Sequence, residues 1–89
     1  MKFQLGDTYI TPAAQEALAE AGQAPATFLD RHVSGDWGDC NSEDKEANEA
    51  ALIDDERLLS VYHTSRGVKV WVITEADRSS TTILLPSEY

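Results

Sequence analysis

The sequence contains little cysteine, no long apolar run and few basic residues, and each scarcity excludes a class of protein. The single Cys40 excludes an intrachain disulfide and suits a reducing compartment. No apolar run approaches the ~18 residues of a membrane-spanning helix, and the start, MKFQLGDTYI, lacks the apolar region of a signal peptide. These features predict a soluble, cytoplasmic protein that has no membrane partner.

The basic residues are seven in number and scattered, against sixteen acidic residues, and the formal net charge is −9. A negative field of this size repels phosphate, so we expect no direct binding to nucleic acid. The apolar fraction of 42% is nevertheless sufficient for a folded core, unlike that of a disordered acidic tail. The length of 89 residues predicts a single domain, 1–89.

Helix signals occupy the first half of the chain. Thr11-Pro12 is a typical helix start, followed by strong helix formers up to Gly22, a residue suited to end a helix. Pro25 opens a second helix to about Val33, and Asn41 or Ser42 caps a third to about Ala51. The helical part is therefore expected over about 11–52.

Strand signals occupy the second half, over about 57–86. Three runs, RLLSVYH, VKVWVIT and TTILLP, are rich in aliphatic and aromatic residues, and a loop ending at Gly67 separates the first two. The short N-terminal runs KFQL or TYI are possible edge strands. We expect an α+β fold in which two or three short N-terminal helices pack on a C-terminal three-stranded antiparallel meander.

The acidic residues are concentrated in one stretch, Asp36–Glu56, which we call the acidic segment. It holds nine of the sixteen acidic residues and only one base, Lys45. Its expected helix has Ala47, Ala50, Ala51 and Leu52 as its main apolar residues, so a narrow face is predicted to be buried. Such a field attracts a basic partner, and it resembles the charge of phosphates that a basic groove follows along nucleic acid.

Trp37 lies between Gly35 and Gly38, at the start of this segment, and is interpreted either as a core residue or as an exposed contact aromatic. The predicted partner-binding residues combine it with the nine acids: Asp36, Trp37, Asp39, Glu43, Asp44, Glu46, Glu49, Asp54, Asp55 and Glu56.

Other kinds of site have weaker support. His32, Asp36 and Cys40 have the spacing of a metal site only if one helix continues through Gly35 and Gly38, so no metal and no cofactor are predicted. Neighbouring carboxylates disfavour the Cys40 thiolate, and no nucleophile motif is present, so no catalytic residue is predicted. The polar loop Glu75–Ser80 is interpreted as a turn or, as a third alternative, as a small-ligand or enzyme-like site.

Three stretches carry a resemblance to a known group: RHVSGDWGD (Arg31–Asp39), EDKEANE (Glu43–Glu49) and WVITEADRSSTTILLPSEY (Trp71–Tyr89). They resemble a family of small uncharacterised bacterial proteins of chromosomes and mobile elements, sometimes labelled type I restriction endonuclease subunit M. Family members typically have Leu where this chain has Cys40. The chain lacks the room and the motifs of an adenine methyltransferase. The resemblance therefore implies a mobile-element setting and not that activity.

The sequence thus predicts a non-enzymatic acidic protein that binds a basic surface on a nucleic-acid-binding protein. It would act as a nucleic-acid mimic and inhibit a defence complex of the restriction or CRISPR type. The alternative is a structural or regulatory interaction module that could form a homodimer and whose acidic face serves solubility only.

Overall fold

A computed structural model of residues 1–89 shows an α+β protein, as predicted. Three helices pack on one face of a four-stranded sheet. The elements in chain order are β1 (Asp7–Ile10), α1 (Pro12–Ala21), α2 (Pro25–Val33), α3 (Ser42–Asp54), β2 (Leu58–His63), β3 (Lys69–Thr74), β4 (Ser80–Leu84) and a final 3-10 turn (Pro86–Glu88). None of the helices has the length and apolar character needed to span a membrane.

The sheet has the order β1-β4-β3-β2 and is mixed. Strands β2, β3 and β4 form antiparallel pairs, whereas β1 runs parallel to β4 with Ile10 opposite Ile83. The predicted three-stranded antiparallel meander is therefore wrong in detail. The N-terminal run that includes Tyr9 and Ile10 supplies the fourth strand, because a parallel partner at the far edge completes pairing along β4.

The limits of the helices follow local sequence signals. The Thr11 side chain accepts a hydrogen bond from the Ala14 N–H at the start of α1, and Gly22 ends it in the left-handed conformation (φ 67°). Asn41 caps α3 by accepting from the Asp44 N–H. The third helix extends to Asp54, three residues beyond the predicted end.

The core lies between the helices and the sheet. Its main cluster joins residues of α1 and α2 to three strands: Ala14, Leu18, Phe28, Tyr62, Val70, Val72 and Ile83. A second cluster joins α3 to β2 and consists of Trp37, Cys40, Ala51 and Leu58. The side chains of Val70 and Val72 share the helix-covered face of β3, as period-2 alternation predicts.

His32 of α2 is completely buried in the middle of this core, and polar side chains satisfy both of its ring nitrogens. Nδ1 lies 2.5 Å from Ser60 Oγ on β2, and Nε2 lies 2.9 Å from Thr74 Oγ1 on β3. Thr74 Oγ1 is in turn 2.7 Å from Thr81 Oγ1 on β4, whose hydroxyl donates to the Leu5 carbonyl. The chain of hydrogen bonds therefore crosses the whole interface of α2 with the sheet.

The direction of each hydrogen bond in this series fixes the tautomer of His32. Thr81 donates its proton to the Leu5 carbonyl, so Thr74 must donate to Thr81, and the Thr74 oxygen must accept from His32 Nε2–H. Nδ1 is left as the acceptor for the Ser60 hydroxyl. A proton on Nδ1 would remove that acceptor. Burial, with a smaller effect of the Arg78 charge, lowers the pKa of His32 from 6.5 to about 4.

This arrangement predicts a loss of stability in mild acid. The unfolded chain binds a proton at His32 below about pH 6.5, whereas the folded protein keeps the ring neutral until about pH 4. Stability is thus complete above pH 6.5 and falls as the pH falls. We expect the free energy of unfolding to be about 2 kcal/mol lower at pH 5 than at pH 7.

Urea denaturation at the two pH values measures this difference. His32→Gln should lower stability at pH 7 yet show a much smaller change between the two pH values. His63→Gln, which alters the exposed histidine, is the matched control and should retain the full change. An equal change in wild type and His32→Gln would contradict the assignment.

Candidate functional site

The orientation of α3 on the sheet is fixed by a polar residue, Asn48. Its Nδ2 donates to the Leu59 carbonyl (2.7 Å), and its Oδ1 accepts from the Leu59 N–H (3.0 Å). Leu59 lies on β2, whose outer edge has no strand partner at this position. The side-chain amide therefore takes the place of a neighbouring strand, and this pairing turns one side of α3 towards the sheet.

The segment before α3 closes the next part of the same edge. Gly38 forms an isolated parallel bridge with Val61, in which the Val61 N–H donates to Trp37 and the Val61 carbonyl accepts from Asp39. Gly38 has φ +76°, and a Cβ there would lie 2.0 Å from the Val61 carbonyl oxygen. Only glycine fits this approach. The acidic segment is therefore attached to the edge of β2 at two alternate residues, Leu59 and Val61.

The buried side of α3 differs from the predicted one. Asn48 and Ala51 are buried and Leu52 is partly buried, whereas Ala47 and Ala50 are exposed. The prediction failed for Ala47 and Ala50 because alanine occurs around much of the helix, so apolar periodicity does not select a side. The pairing of Asn48 with the strand edge selects it instead.

Three of the predicted contact carboxylates have partners within the protein. Asp36 accepts from Arg31 (2.7 Å), and this hydrogen bond holds the pKa of Asp36 below its usual range. Asp39 lies 2.6 Å from His63 Nδ1. Glu49 accepts from Trp37 Nε1 (2.7 Å) and lies 4.0 Å from Lys2 Nζ. These acids help to hold the segment in place, so less of their charge is available to a partner.

The other six carboxylates are exposed and form no ion pair: Glu43, Asp44, Glu46, Asp54, Asp55 and Glu56. Glu43 and Asp44 lie in the first turn of α3, where the helix dipole favours negative charge. Asp55 ends the helix in the left-handed conformation (φ 52°), which lets the chain turn towards β2 with Glu56 exposed. The unpaired carboxylates thus line α3 and its C-terminal end.

An exposed isoleucine, which was not among the predicted contact residues, lies among these acids. Ile53 has 83% of its surface exposed. Helical spacing puts it one or two turns from Glu46 and Ala50, and puts Glu43, Ala47 and Asp54 on the same outward side. We call this set (Glu43, Glu46, Ala47, Ala50, Ile53 and Asp54) the outer face of α3. It combines carboxylates with a small apolar strip.

Trp37 is placed in the core. It is 4% exposed, and its ring lies beside Phe3 and His32 at centroid distances of 6.2 and 5.8 Å. Of the two interpretations open from the sequence, the structure supports the core residue. Trp37 has little surface to offer a partner, and its indole N–H orients Glu49.

The residues considered for a metal site or a nucleophile, His32, Asp36 and Cys40, do not form a common site. His32 is in the core, Asp36 pairs with Arg31, and no group of three His, Cys, Asp or Glu side chains is placed to hold a metal ion. Cys40 is buried, and its Sγ donates to the carbonyls of Trp37 and Leu59. Burial, aided by the charge of Asp44, raises the pKa of this thiol, which disfavours the nucleophilic thiolate.

The Glu75–Ser80 loop serves the end of α3. Arg78, in the left-handed conformation (φ 61°), donates through its guanidinium to the carbonyls of Ala51 and Glu56. These bonds add a further donor to the Ala51 carbonyl in the last turn of α3, give the Glu56 carbonyl just beyond the helix a partner, and put a positive charge at the negative end of the helix. The one cavity in the protein lies beside β1 and not at this loop. The loop therefore fits a capping role better than a ligand site.

Comparisons with known proteins found no match: no family model, no curated protein and no solved structure is similar to this chain.

Asn48→Ala should destabilise the protein, because it leaves the Leu59 N–H without a partner and the Leu59 carbonyl with only the weak Cys40 thiol as a donor. We expect a loss of about 2 kcal/mol in the free energy of unfolding. Ala50→Gln, in the same helix but on its outer face, is the matched control and should stay within about 0.5 kcal/mol of wild type. Urea denaturation at pH 7 compares them. Equal effects of the two changes would show that Asn48 does not anchor the helix.

Proposed function

We propose that the protein acts by binding, and that the outer face of α3 docks into a basic groove of a nucleic-acid-binding protein. The observation that carries this proposal is the combination of unpaired carboxylates with an exposed isoleucine on one ordered helix. An ordered helix presents its charges at fixed spacings, which a disordered acidic tail does not.

The density of charge along α3 supports competition with nucleic acid. Glu43 and Asp54 are eleven residues apart, or about 16 Å along the helix axis. Four unpaired carboxylates lie within this length, Glu43, Asp44, Glu46 and Asp54, against one base, Lys45. That is about one unpaired negative charge per 4 Å, close to the ~3.4 Å per phosphate along one strand of a duplex. A lysine- and arginine-lined groove would therefore meet a comparable field.

The apolar strip favours a protein as the partner. Ile53 is surrounded by exposed acids, an arrangement that resembles the apolar centre and polar rim of a protein interface. Charge gives fast association and sensitivity to salt, whereas burial of Ile53 would add affinity that salt does not screen. A partner that binds in this way has basic residues around a shallow apolar depression.

The class of target is proposed by analogy of size and charge with small acidic inhibitors, in the mobile-element setting that the sequence resemblance implies. In that setting a protein that occupies a nucleic-acid groove would protect invading DNA. We therefore infer that the target is a restriction or CRISPR type defence protein, and that this chain inhibits it without catalysis. The buried positions of His32 and Cys40 support a binding role over a chemical one.

Charge reversal on the outer face should abolish partner binding. We expect Glu43→Lys/Glu46→Lys/Asp54→Lys to remove a nucleic-acid-binding protein that immobilised wild type captures from host lysate at low salt. The reason is that the three acids supply the unpaired charge that replaces phosphate. Mass spectrometry identifies the captured protein, and duplex DNA should compete with wild type for it.

The matched control carries the same change in net charge elsewhere. Glu16→Lys/Glu20→Lys/Asp30→Lys alters three exposed acids of α1 and α2 and should retain binding and its salt dependence. Equal loss in both triple variants would mean that only net charge matters. If the α3 variant binds normally, mimicry is rejected, and the acidic face serves solubility as in the alternative.

Ile53→Ser should weaken binding to the captured partner by about tenfold, or about 1.4 kcal/mol. The slope of affinity against salt should stay that of wild type, because no charge has changed. Val68→Ser, at an exposed aliphatic residue outside α3, is the control and should bind as wild type. Calorimetric titration at three salt concentrations separates the two effects. An unchanged affinity for Ile53→Ser would remove the isoleucine from the interface.

A further inference from the structure

Strand β1 has a free edge that the rest of the protein leaves uncovered. Asp7, Thr8 and Tyr9 are exposed, and Tyr9 has 57% of its surface accessible. The N–H of Asp7 donates to Ser79, and the N–H of Thr11 donates to Ile83, both on the β4 side. Because backbone groups alternate in direction along a strand, the N–H and carbonyl of Thr8 and Ile10 point away from β4.

The two edges of the sheet are treated differently. The β2 edge is closed by the amide of Asn48 and by the bridge at Gly38. The β1 edge has no such cover, and it carries no lysine, proline or bulge of the kind that blocks association between sheets. The open β1 edge is suited to pair with another strand, because the N–H and carbonyl groups that point outwards from it have no partner within the protein.

We propose that β1 pairs antiparallel with β1 of a second copy of this chain, forming a two-fold symmetric dimer with a continuous eight-stranded sheet. The edge is complementary to itself in one register. With Tyr9 opposite the partner's Tyr9, Thr8 lies opposite the partner's Ile10. Thr8 and Ile10 are the two residues whose backbone groups point outwards, so each exchanges two hydrogen bonds and none is left unpaired.

The side chains agree with this register. Tyr9 and the partner's Tyr9 form a non-hydrogen-bonded pair on the face away from the helices, where their rings can pack together. On the helix-covered face a cavity of about 70 Å³ opens beside the strand, lined by Thr8, Tyr9, Ile10, Pro25, Leu29 and Ile83. The partner's Ile10, adjacent to Thr8, lies at the mouth of this cavity and can fill it.

The distribution of charge also permits this dimer. The acidic segment packs against β2, at the opposite end of the sheet from β1. Across an eight-stranded sheet the two α3 helices would be about 34 Å apart, from seven spacings of about 4.8 Å. That distance is several times the ~8 Å over which physiological salt screens charge. The surface with the strongest repulsion is therefore the farthest from the interface.

Two like charges do approach each other near the ends of the pairing. Asp7 lies opposite the partner's Thr11, and the Thr11 hydroxyl donates to Glu88 within each chain (2.8 Å). The Asp7 carboxylate thus comes close to the partner's Glu88. Added salt screens this repulsion, so it should strengthen the dimer. Binding of a basic partner to α3 should instead weaken as salt is added. The dimer and the proposed binding function can therefore be tested, and rejected, separately.

Cysteine cross-linking tests the register. Tyr9→Cys should form a disulfide-linked dimer with oxidised glutathione, because residues that pair in this way have Cα atoms about 4.5 Å apart, close enough for a disulfide. Asp7→Cys is the matched control on the same face. Its two copies would lie about 14 Å apart along the strands, too far to bridge. Wild type shows any background from Cys40. Equal cross-linking of the two variants would overturn the proposal.

Sedimentation equilibrium of the full chain tests the dimer itself. Wild type should approach twice its 9.8 kDa mass as concentration rises from micromolar to millimolar, and at lower concentration when salt is added. Thr8→Pro removes an N–H that no bond within the chain uses, and it should remain a monomer. Thr8→Val keeps that N–H and should dimerise. A wild type that stays monomeric throughout overturns the proposal. If Thr8→Pro fails to fold by circular dichroism, the cross-linking result decides alone.

Discussion

The hydrogen-bond chain through His32 is the constraint on which the rest of the fold depends. It connects α2 to β2, β3 and β4, and its last member binds the N-terminal segment at Leu5. A buried polar group without a partner costs about 1–3 kcal/mol, so each member requires its neighbours in place. No buried side-chain nitrogen or oxygen in the protein lacks a partner. An aliphatic core tolerates small shifts of a helix, whereas this series of hydrogen bonds permits one position for α2.

The position of α2 determines that of the acidic segment. The helix leads directly into the turn that contains Gly38, and the Tyr62 hydroxyl donates to the Asp36 carbonyl (2.5 Å) at the start of that turn. From there the bridge to Val61 and the amide of Asn48 lay the segment along β2. The outward direction of the carboxylates is thus a consequence of polar contacts in the interior and at a strand edge. The acids themselves contribute through Asp36, Asp39 and Glu49, which have partners within the protein, and through the first turn of α3.

Much of the local structure could be predicted from the sequence, and the contacts between distant elements could not. The ends of α1 follow from Thr11-Pro12 and Gly22, because capping is decided within a few residues. The parallel pairing of β1 with β4 joins residues more than seventy positions apart, and no local pattern encodes it. At the candidate site the concentration of acids was visible in the sequence. The exposed position of Ile53 was not, because it depends on Asn48, a polar residue that apolar periodicity ignores.

The closed edge of β2 also limits the size of any assembly built through the sheet. A sheet with two free edges can add copies indefinitely and grow into a fibre, whereas each copy of this chain has one edge to offer. Once β1 is occupied, both ends of the extended sheet carry the amide of Asn48 and the turn at Gly38. Growth therefore terminates at two copies, and the same contacts that orient the acidic helix protect the protein from open-ended polymerisation.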